Sequence, residues 1–350
     1  MMYIGTENIK LIFFPEGDLK NAASRYRIYY LEQCLRNNFK TEILISPATS
    51  PPPTPAHLKL KYPFYFLNRL FKSLRADKND ILFVQRGDHL LGSLKLNKIL
   101  KKYNKNMIFD IDDATFLFNS EIYKMFEISD VLFVGSHFLK EEAEKFNDNV
   151  YLIPTSINTE KYSIKKHIKK TEIVIGWMGS PSTIKYLNLI KNPLEKLGSR
   201  YNIRFVVVGA NKAKNKVLKI RNVNMEIKDW TLETELDELK SFDIGVMPMF
   251  NGDWEKGKCA FKAIQYMGFG IPAVCSNIGE ANYLITSGNN GFLCADEEEW
   301  MDSLEKLIIN HELRNRIGHN GRKKIEEEYD ISKTAKKVSN IIKLEFGSNS

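Results

Sequence analysis

Residues 256–276 have the sequence KGKCAFKAIQYMGFGIPAVCS, and this stretch predicts a helix, a glycine stop and a buried strand. Gly268 and Gly270 would end the helix, and the apolar run AVC after Pro272 is typical of a short strand. Four positions of the predicted helix recur at helical spacing and would share one face: Lys258, Phe261, Lys262 and Gln265.

Two lysines four residues apart near the start of a helix, Lys258 and Lys262, indicate an anion site. The N–H groups of a first helical turn already favour anions, and ammonium groups beside them would hold a diphosphate. A solvated lysine face on an amphipathic helix accounts for the same pattern, because lysines are mostly exposed. These residues alone leave both interpretations open.

Length and charge allow two domains and an anionic partner. The chain has 350 residues, 43% of them hydrophobic, and a net charge of +8. At ~100–200 residues per domain, a chain of this length is expected to form two domains. A basic chain suits a nucleotide, a membrane surface or nucleic acid. No zinc-finger, KH or RRM signature is present, so we expect no nucleic-acid partner.

The four cysteines, at positions 34, 259, 275 and 294, are far apart and form no C-x-x-C pair. This spacing predicts reduced, buried thiols and neither a zinc site nor a redox motif. No signal peptide is evident, and no run approaches the ~18 apolar residues of a spanning helix. We therefore expect a cytoplasmic protein, with peripheral attachment to the inner face of the plasma membrane as one option.

The first half of the chain alternates strands with helices, which predicts a parallel sheet with helices on both faces. Its first helix is predicted at residues 24–38 with Ser24 as N-cap. Arg25 and Arg27 lie in the first turn, where the helix dipole disfavours positive side chains. They therefore either bind an anion or an acceptor hydroxyl, or lie exposed on the surface. A later aromatic and basic helix, from about Phe64 to Ala76, packs in the core or rests on lipid headgroups; core packing is the prediction.

Three carboxylates lie at the end of the predicted strand NMIFDIDDATF: Asp110, Asp112 and Asp113. Active groups of open α/β sheets collect beyond the carboxyl ends of strands. These side chains could hold a metal, orient sugar hydroxyls or cap the next helix. His137, beside the predicted N-cap Ser136, either faces a cleft or is structural.

The pattern restarts after a basic run, Ser163–Lys170, which we interpret as a linker. The predicted domains are residues 1–165 and 171–330, with a final helix near 331–346 returning to the first. After the first strand of the second domain, Gly179–Thr183 (GSPST) offers hydroxyls and amides to a phosphate. Trp230, at a strand–helix junction, would border a base or sugar, or simply pack.

A family resemblance is carried by IGWMGSPST, DIGVMPM, KGKCAFKAIQYMGFGIPAVCSNIGEA, NNGFLC and RNRIGHNGRKKIEEEYD. In this order and spacing they resemble the C-terminal half of retaining GT-B glycosyltransferases of the family-four type. ASRYRIYYLEQCL, FDIDDA and VLFVGSHFL…VYLIPTSIN more loosely resemble the N-terminal half of a bacterial branch. The resemblance implies two Rossmann-like domains facing each other across a cleft. The N-terminal domain would bind the acceptor, and the C-terminal domain would bind the nucleotide-sugar donor.

The resemblance further implies a metal-independent, retaining transfer from a UDP- or GDP-linked sugar to a glycan, lipid-linked or protein-linked glycan hydroxyl, without a cofactor. The two glutamates common in the family fall on Gly257 and Gln265. Gln265 can still bind ribose hydroxyls, whereas Gly257 cannot replace a carboxylate. The implied residues are catalytic Lys258, Lys262, Asp110, Asp112 and Asp113, donor-binding Gly179, Ser180, Thr183, Trp230, Gly257, Phe261 and Gln265, and acceptor-binding Ser24, Arg25, Arg27 and His137.

Two other functions remain open on the sequence. Non-hydrolysing nucleotide-sugar epimerases share this fold and need acid and base carboxylates in the cleft. A catalytically degenerate transferase that only binds is favoured by the missing glutamates at 257 and 265. The epimerase would isomerise a donor without acceptor, and the binding protein would not turn it over.

Overall fold

The structure, a computed structural model, describes residues 9–45, 60–87, 95–103, 106–210 and 219–347. The chain folds into two units. Unit 1 comprises Met1–Ser156, Gly257–Cys259 and Ile331–Ser350, and unit 2 comprises Ile157–Lys256 and Ala260–Asp330. The division falls after Ser156, so the basic run predicted as a linker lies wholly within unit 2.

Unit 1 contains a six-stranded parallel sheet in the order β2-β1-β3-β4-β5-β6. Two of its strands, Ile81–Gln85 and Val131–Val134, are buried along their whole length and are apolar except for Gln85, as expected for a parallel sheet covered on both faces. The strands are β1 Lys10–Phe14, β2 Lys40–Ile43, β3 Ile81–Gln85, β4 Asn106–Ile111, β5 Val131–Val134 and β6 Val150–Leu152.

Helices surround this sheet, and the last one completes the core of unit 1. Ile331–Phe346 contributes Val338 and Ile342 to the buried cluster that also holds Leu31 and Phe83. The described helical segments of unit 1 are Ala22–Ser24, a π-helical turn Arg25–Tyr29, Tyr30–Leu35, Tyr62–Leu74, Lys95–Lys102, a 3₁₀ turn Thr115–Leu117, Glu121–Ile128, His137–Ala143 and Ile331–Phe346.

Unit 2 repeats the architecture with a second six-stranded parallel sheet, in the order β12-β11-β10-β7-β8-β9. Its strands are β7 Ile173–Met178, β8 Ile203–Val208, β9 Asn224–Lys228, β10 Ile244–Met247, β11 Ala273–Ser276 and β12 Phe292–Cys294. Its described helical segments are the 3₁₀ turns Thr159–Lys161 and Ile184–Ile190 and the helices Lys191–Gly198, Glu235–Ser241, Asp253–Lys256, Phe261–Gly268, Ala281–Leu284, Glu297–Ile309 and His311–Glu328.

The helix predicted in residues 256–276 begins later than expected. It covers Phe261–Gly268, and Ala260 before it adopts a left-handed backbone with φ 51° and ψ 27°. Lys258 is therefore not helical, and the prediction that Lys258 and Lys262 share one helix face is wrong. The glycine stop and the strand β11 are confirmed.

Two further helix predictions are corrected. Asn21, and not Ser24, caps the first helix, because its Oδ1 accepts from Ser24 N at 3.0 Å. Ser24 Oγ instead donates to Gln85 Oε1 at 2.7 Å and accepts from Gly17 N. The helix Tyr62–Leu74 does not bury its apolar face in the core. No helix among the described residues is long and apolar enough to cross a membrane.

Candidate functional site

Charged side chains collect at the carboxyl end of the unit 1 sheet. Glu16 lies just beyond β1, Arg86 directly follows β3, and Asp112 and Asp113 follow β4. Parallel strands end at the same edge, which brings these residues together. The Arg86 guanidinium donates to Glu16 Oε2 at 3.1 Å, to Asp112 Oδ1 at 2.5 Å and to Asp113 Oδ2 at 2.6 Å. We call these four residues the Arg86 cluster.

Arg86 is held in an unfavourable backbone conformation, with φ 53°. Non-glycine residues in this region cost about 1–3 kcal/mol and persist where the surroundings impose them, often at functional sites. Burial alone would lower the pKa of Arg86, because it disfavours the charged guanidinium. The negative charges of Asp112 and Glu16 have the larger effect, so the pKa of Arg86 is raised. Burial alone would raise the pKa of Asp112, yet Arg86 and Arg27 hold that pKa below its usual value.

A second ion pair lies in the interior of unit 1. Arg27, on the π-helical turn, donates from Nε to Asp110 Oδ2 at 2.8 Å and pairs with Oδ1 through Nη2. Its Nη1 donates to Ile153 O at 2.8 Å and to Thr155 Oγ1 at 3.2 Å. Arg27 is 4% exposed and Asp110 1%. Burial raises the pKa of Asp110 against the opposing charge of Arg27.

Both first-helix arginines are therefore buried, and the surface interpretation of them is wrong. Arg25 is 1% exposed, donates from Nη1 to Leu19 O at 2.9 Å and lies over the Tyr26 ring. Arg27 and Asp110 therefore pair with each other in the interior of unit 1. The capping interpretation of Asp112 and Asp113 is also wrong, because the following 3₁₀ turn has no side-chain cap.

The segment Gly257–Cys259 packs against the Arg86 cluster as part of unit 1. Lys258 Nζ lies 3.3 Å from Asp113 Oδ1, and Cys259 Sγ donates to Asp112 O at 3.1 Å. A Cβ on Gly257 would lie 2.6 Å from Ala114 Cβ, so this close approach requires glycine. Ser136 Oγ donates to Gly257 O at 3.2 Å.

Ser136 also caps its own helix, as predicted, by accepting from Leu139 N at 3.3 Å. His137 is the first residue of that helix and is half-buried. The structure therefore places His137 next to the residue that holds Gly257.

In unit 2, predicted donor-binding residues meet at the carboxyl ends of β7 and β8. Gly179 follows β7 and Gly209, with φ 88°, follows β8. A Cβ on Gly209 would lie 2.3 Å from Gly179 O and 3.4 Å from Trp230 Cβ. The two backbones and Trp230 thus approach too closely for any side chain at 209.

The polar groups of the GSPST turn hydrogen-bond largely to one another. Thr183 Oγ1 accepts from Ser180 N at 3.2 Å and donates to Ser180 O at 2.9 Å, and Ser180 Oγ bonds Ser182 Oγ at 2.8 Å. Ser180 is exposed. The turn thereby presents a fixed set of small polar groups beside Gly179.

Lys262 lies beside the same strand end. Its Nζ is 5.9 Å from the centroid of the Trp177 ring, on β7, and that ring also fills the space next to Gly179. Lys262 is the second residue of the helix Phe261–Gly268, whose N-cap residue Ala260 has no side-chain acceptor for the first-turn N–H groups. The structure thus assembles Trp177, Gly179 and Lys262; we call this the Lys262 group.

Gln265 contacts a carboxylate that the sequence analysis missed. Its Nε2 donates to Glu235 Oε1 at 2.8 Å, and both residues are 4% exposed. Glu235 starts the helix Glu235–Ser241 and looks like an ordinary acidic first-turn residue in the sequence. Arg86 was missed too, although a polar residue following a buried strand could have indicated it.

The described residues contain no group of three or more His, Cys, Asp or Glu arranged to hold a metal ion. Asp110, Asp112 and Asp113 each pair with an arginine. None of the four cysteines, all of which lie in the described part of the chain, forms a disulfide, and three of them are buried while Cys34 is half-buried. Burial raises the pKa of Cys294 to about 12.

Comparison with known proteins finds a family match for a stretch that lies mainly in unit 2. Residues 172–310 match the family described as "Glycosyl transferases group 1". Over these residues the chain is similar to group 1 glycosyltransferases. A curated relative, the capsular polysaccharide biosynthesis glycosyltransferase CapM of Staphylococcus aureus, is 22% identical over 183 residues. The alignment covers 49% of this chain and about half, 47%, of that protein.

Solved structures confirm the GT-B class of fold. Sucrose-phosphate synthase from Thermosynechococcus elongatus superimposes with a TM-score of 0.74 at 12% identity, covering 97% of this chain and 100% of that one. Anabaena HepE in complex with UDP-glucose gives 0.66 at 12% identity, covering 96% and 99%. At these identities the likeness concerns the fold alone.

The matched stretch, residues 172–310, contains every predicted donor-binding residue. Gly179, Ser180, Thr183 and Trp230 lie at its strand ends, and Gly257, Phe261, Lys262 and Gln265 lie on or before its central helix. The Arg86 cluster lies outside the matched residues, whereas Lys258 lies within them. The matched stretch thus includes all three residues of the Lys262 group.

Proposed function

We propose that the protein transfers a sugar from a UDP- or GDP-linked donor to a hydroxyl of a glycan, lipid-linked or protein-linked glycan acceptor. The observation that carries this proposal is the Lys262 group within a stretch similar to group 1 glycosyltransferases. The names of two similar proteins support it, because HepE was crystallised with UDP-glucose and CapM serves capsular polysaccharide biosynthesis.

Unit 2 would bind the donor. As the bond between the sugar C1 and the diphosphate oxygen breaks, its electron pair moves onto the diphosphate, which gains negative charge. Lys262 and the first-turn N–H groups after Ala260 would stabilise that charge, and Gln265, oriented by Glu235, would contact the ribose. Removing one such preorganised donor typically lowers turnover about a hundredfold to a thousandfold.

A retaining route needs no protein base, and the unit 1 carboxylates would serve poorly as one. The pKa of Asp112 is lowered by Arg86, and both oxygens of Asp110 bind Arg27 in the interior. The acceptor oxygen would attack C1 on the face that the diphosphate leaves. Its proton would pass to the departing diphosphate oxygen, which balances the reaction.

Unit 1 would bind the acceptor. Asp113 of the Arg86 cluster and its neighbour Lys258 are both partly exposed, so they would hydrogen-bond acceptor hydroxyls. Arg27 and Asp110 would act as positioning residues behind them. The transfer would need no metal ion, because lysine and backbone amide groups would stabilise the negative charge on the departing diphosphate. EDTA should therefore leave the transfer rate unchanged.

The test is NMR of a UDP- or GDP-sugar incubated with and without glycan acceptors. We expect a glycoside with the donor's anomeric configuration, lost in Lys262→Ala but retained in Lys306→Ala. Lys306 is an exposed lysine paired with Asp302 and is a matched control. Isomerised donor without acceptor would establish an epimerase, and nucleotide binding without any turnover would establish a binding protein.

A further inference from the structure

The helix Tyr62–Leu74 buries two of its polar residues and exposes four of its large apolar ones. Arg69 is 2% exposed and Ser73 0%, whereas Phe64 is 70% and Phe71 57% exposed. Leu67 and Leu74 belong to the same exposed set, at 48% and 42%. A surface helix of a globular domain normally does the opposite.

Arg69 explains this orientation. Its Nη2 donates to Pro15 O at 3.0 Å and to Leu44 O at 2.9 Å, and its guanidinium lies 5.6 Å from the Phe14 ring centroid. Pro15 follows β1 and Leu44 follows β2. The buried arginine thus fixes the helix to the carboxyl edge of the unit 1 sheet, the edge that also carries the Arg86 cluster.

The exposed apolar side chains form one stripe. Positions 64, 67, 71 and 74 are three or four residues apart, so neighbouring members lie side by side on one helix face. Leu60, in the turn before the helix, is 82% exposed and continues the apolar surface at its start. A contiguous exposed apolar surface of this kind marks an interaction site.

Basic residues accompany the stripe. Lys61 and Arg75 are exposed at the two ends of the helix, and neither forms an ion pair with another described residue. Lys72 is exposed as well and pairs with Glu42. Helical spacing places Lys61, Lys72 and Arg75 on the same side of the apolar stripe. Aromatic side chains bordered by cations suit the boundary between the headgroups and acyl chains of an anionic bilayer.

We propose that the face formed by Phe64, Leu67, Phe71 and Leu74, with Lys61 and Arg75 beside it, docks unit 1 on an anionic membrane surface. The apolar side chains enter the acyl boundary while the cations contact lipid phosphates. Docking would hold the carboxyl edge of the unit 1 sheet near the bilayer, where a lipid-linked acceptor is presented. That last link rests on the proposed function; the docking itself does not.

The experiment is flotation with vesicles of phosphatidylcholine and phosphatidylglycerol in equal parts, without nucleotide. We expect the full chain to float with these vesicles and Phe64→Glu/Phe71→Glu to lose about tenfold or more in affinity. Ile309→Glu/Leu344→Glu, which changes two apolar residues that are 63% and 68% exposed, is the matched control and should bind like the wild type. Lys61→Ala/Arg75→Ala should bind more weakly and with a smaller salt dependence.

Equal flotation of the wild type and the Phe64/Phe71 variant, or no flotation of either, would overturn the proposal. A wild-type dimer that the same substitutions dissociate would show that a second copy covers the face instead. Circular dichroism excludes loss of folding as the cause. The neutral variant Phe64→Ser/Phe71→Ser, which should also bind more weakly, excludes repulsion between the introduced glutamates and the anionic lipid. A thermal shift with UDP, expected to be unchanged in these variants, separates failure of docking from failure of donor binding.

Discussion

Lowering the pH should destabilise unit 2 through one buried histidine. His167 is 2% exposed, and its Nε2 lies 3.0 Å from Gly270 O, which it reaches as a donor. Its Nδ1 is buried without a hydrogen-bond partner among the described residues. A proton on Nδ1 would therefore place an unsatisfied donor and a charge in the interior.

The size of the effect follows from the pKa of His167. Burial, together with Lys165 and Arg314, outweighs the Gly270 carbonyl and Asp243 and lowers this pKa from 6.5 to about 4. The unfolded chain therefore takes up the proton first as the pH falls. The stabilisation is complete above pH 6.5 and is lost between 6.5 and about 4. At about 1.4 kcal/mol per tenfold change in proton affinity, about 2 kcal/mol is lost by about pH 5 and about 3 kcal/mol in all.

The assay is urea unfolding followed by tryptophan fluorescence at about pH 7.5 and about pH 5. All four tryptophans lie in unit 2, so the signal reports that unit alone. His167→Gln keeps a donor for Gly270 and cannot titrate, so its unfolding free energy should fall about 2 kcal/mol less than that of the wild type. The reasoning is refuted if the two proteins lose equal stability over this range.

Two further substitutions test the interior of each unit. Asp110→Ala should lower the unfolding free energy of unit 1 by about 3–5 kcal/mol, because Arg27 keeps a buried charge without its carboxylate; hydrogen exchange of β4 measures this, and unchanged protection would contradict it. Gly209→Ala should destabilise unit 2 by about 1–3 kcal/mol, because its Cβ would meet Gly179 O at 2.3 Å and φ is 88°. Tryptophan fluorescence reports this loss, whereas wild-type stability would show that the loop relaxes freely.

Strands buried on both faces were predictable because their signal is local. DIGVMPM predicts the buried strand observed as β10, and AVC predicts β11. Parallel strands of this kind appear in a sequence as continuous apolar runs between turn residues. The two parallel sheets could therefore be predicted from the strand pattern, whereas the GT-B class of fold was implied by the family resemblance.

The start of the central helix was not predictable from spacing. KGKCAFK has the period of a helix from Lys258 onward, but Gly257 lies against Ala114 and Ala260 turns left-handed. The first of these features depends on a contact with a residue distant in the chain. Helical periodicity contains no information about such contacts, so the two lysines were wrongly placed on one face.

The interior of unit 1 was hidden for a similar reason. Arg27 and Asp110 are 83 positions apart and meet only because the sheet brings a helix and a strand end together. The same holds for Arg86 and Asp113. In the helix Tyr62–Leu74 the amphipathic pattern was visible, but the buried hydrogen bonds of Arg69 decide which face turns inward.

The central claim is that Lys262 helps unit 2 to bind a nucleoside diphosphate, and isothermal titration of UDP and GDP tests it most directly. We expect saturable binding of at least one nucleotide to the wild type and to Lys306→Ala. Lys262→Ala should bind it about tenfold more weakly or worse, in keeping with loss of one charge-assisted contact. Equal affinities in all three proteins, or no binding heat from either nucleotide, would contradict the account.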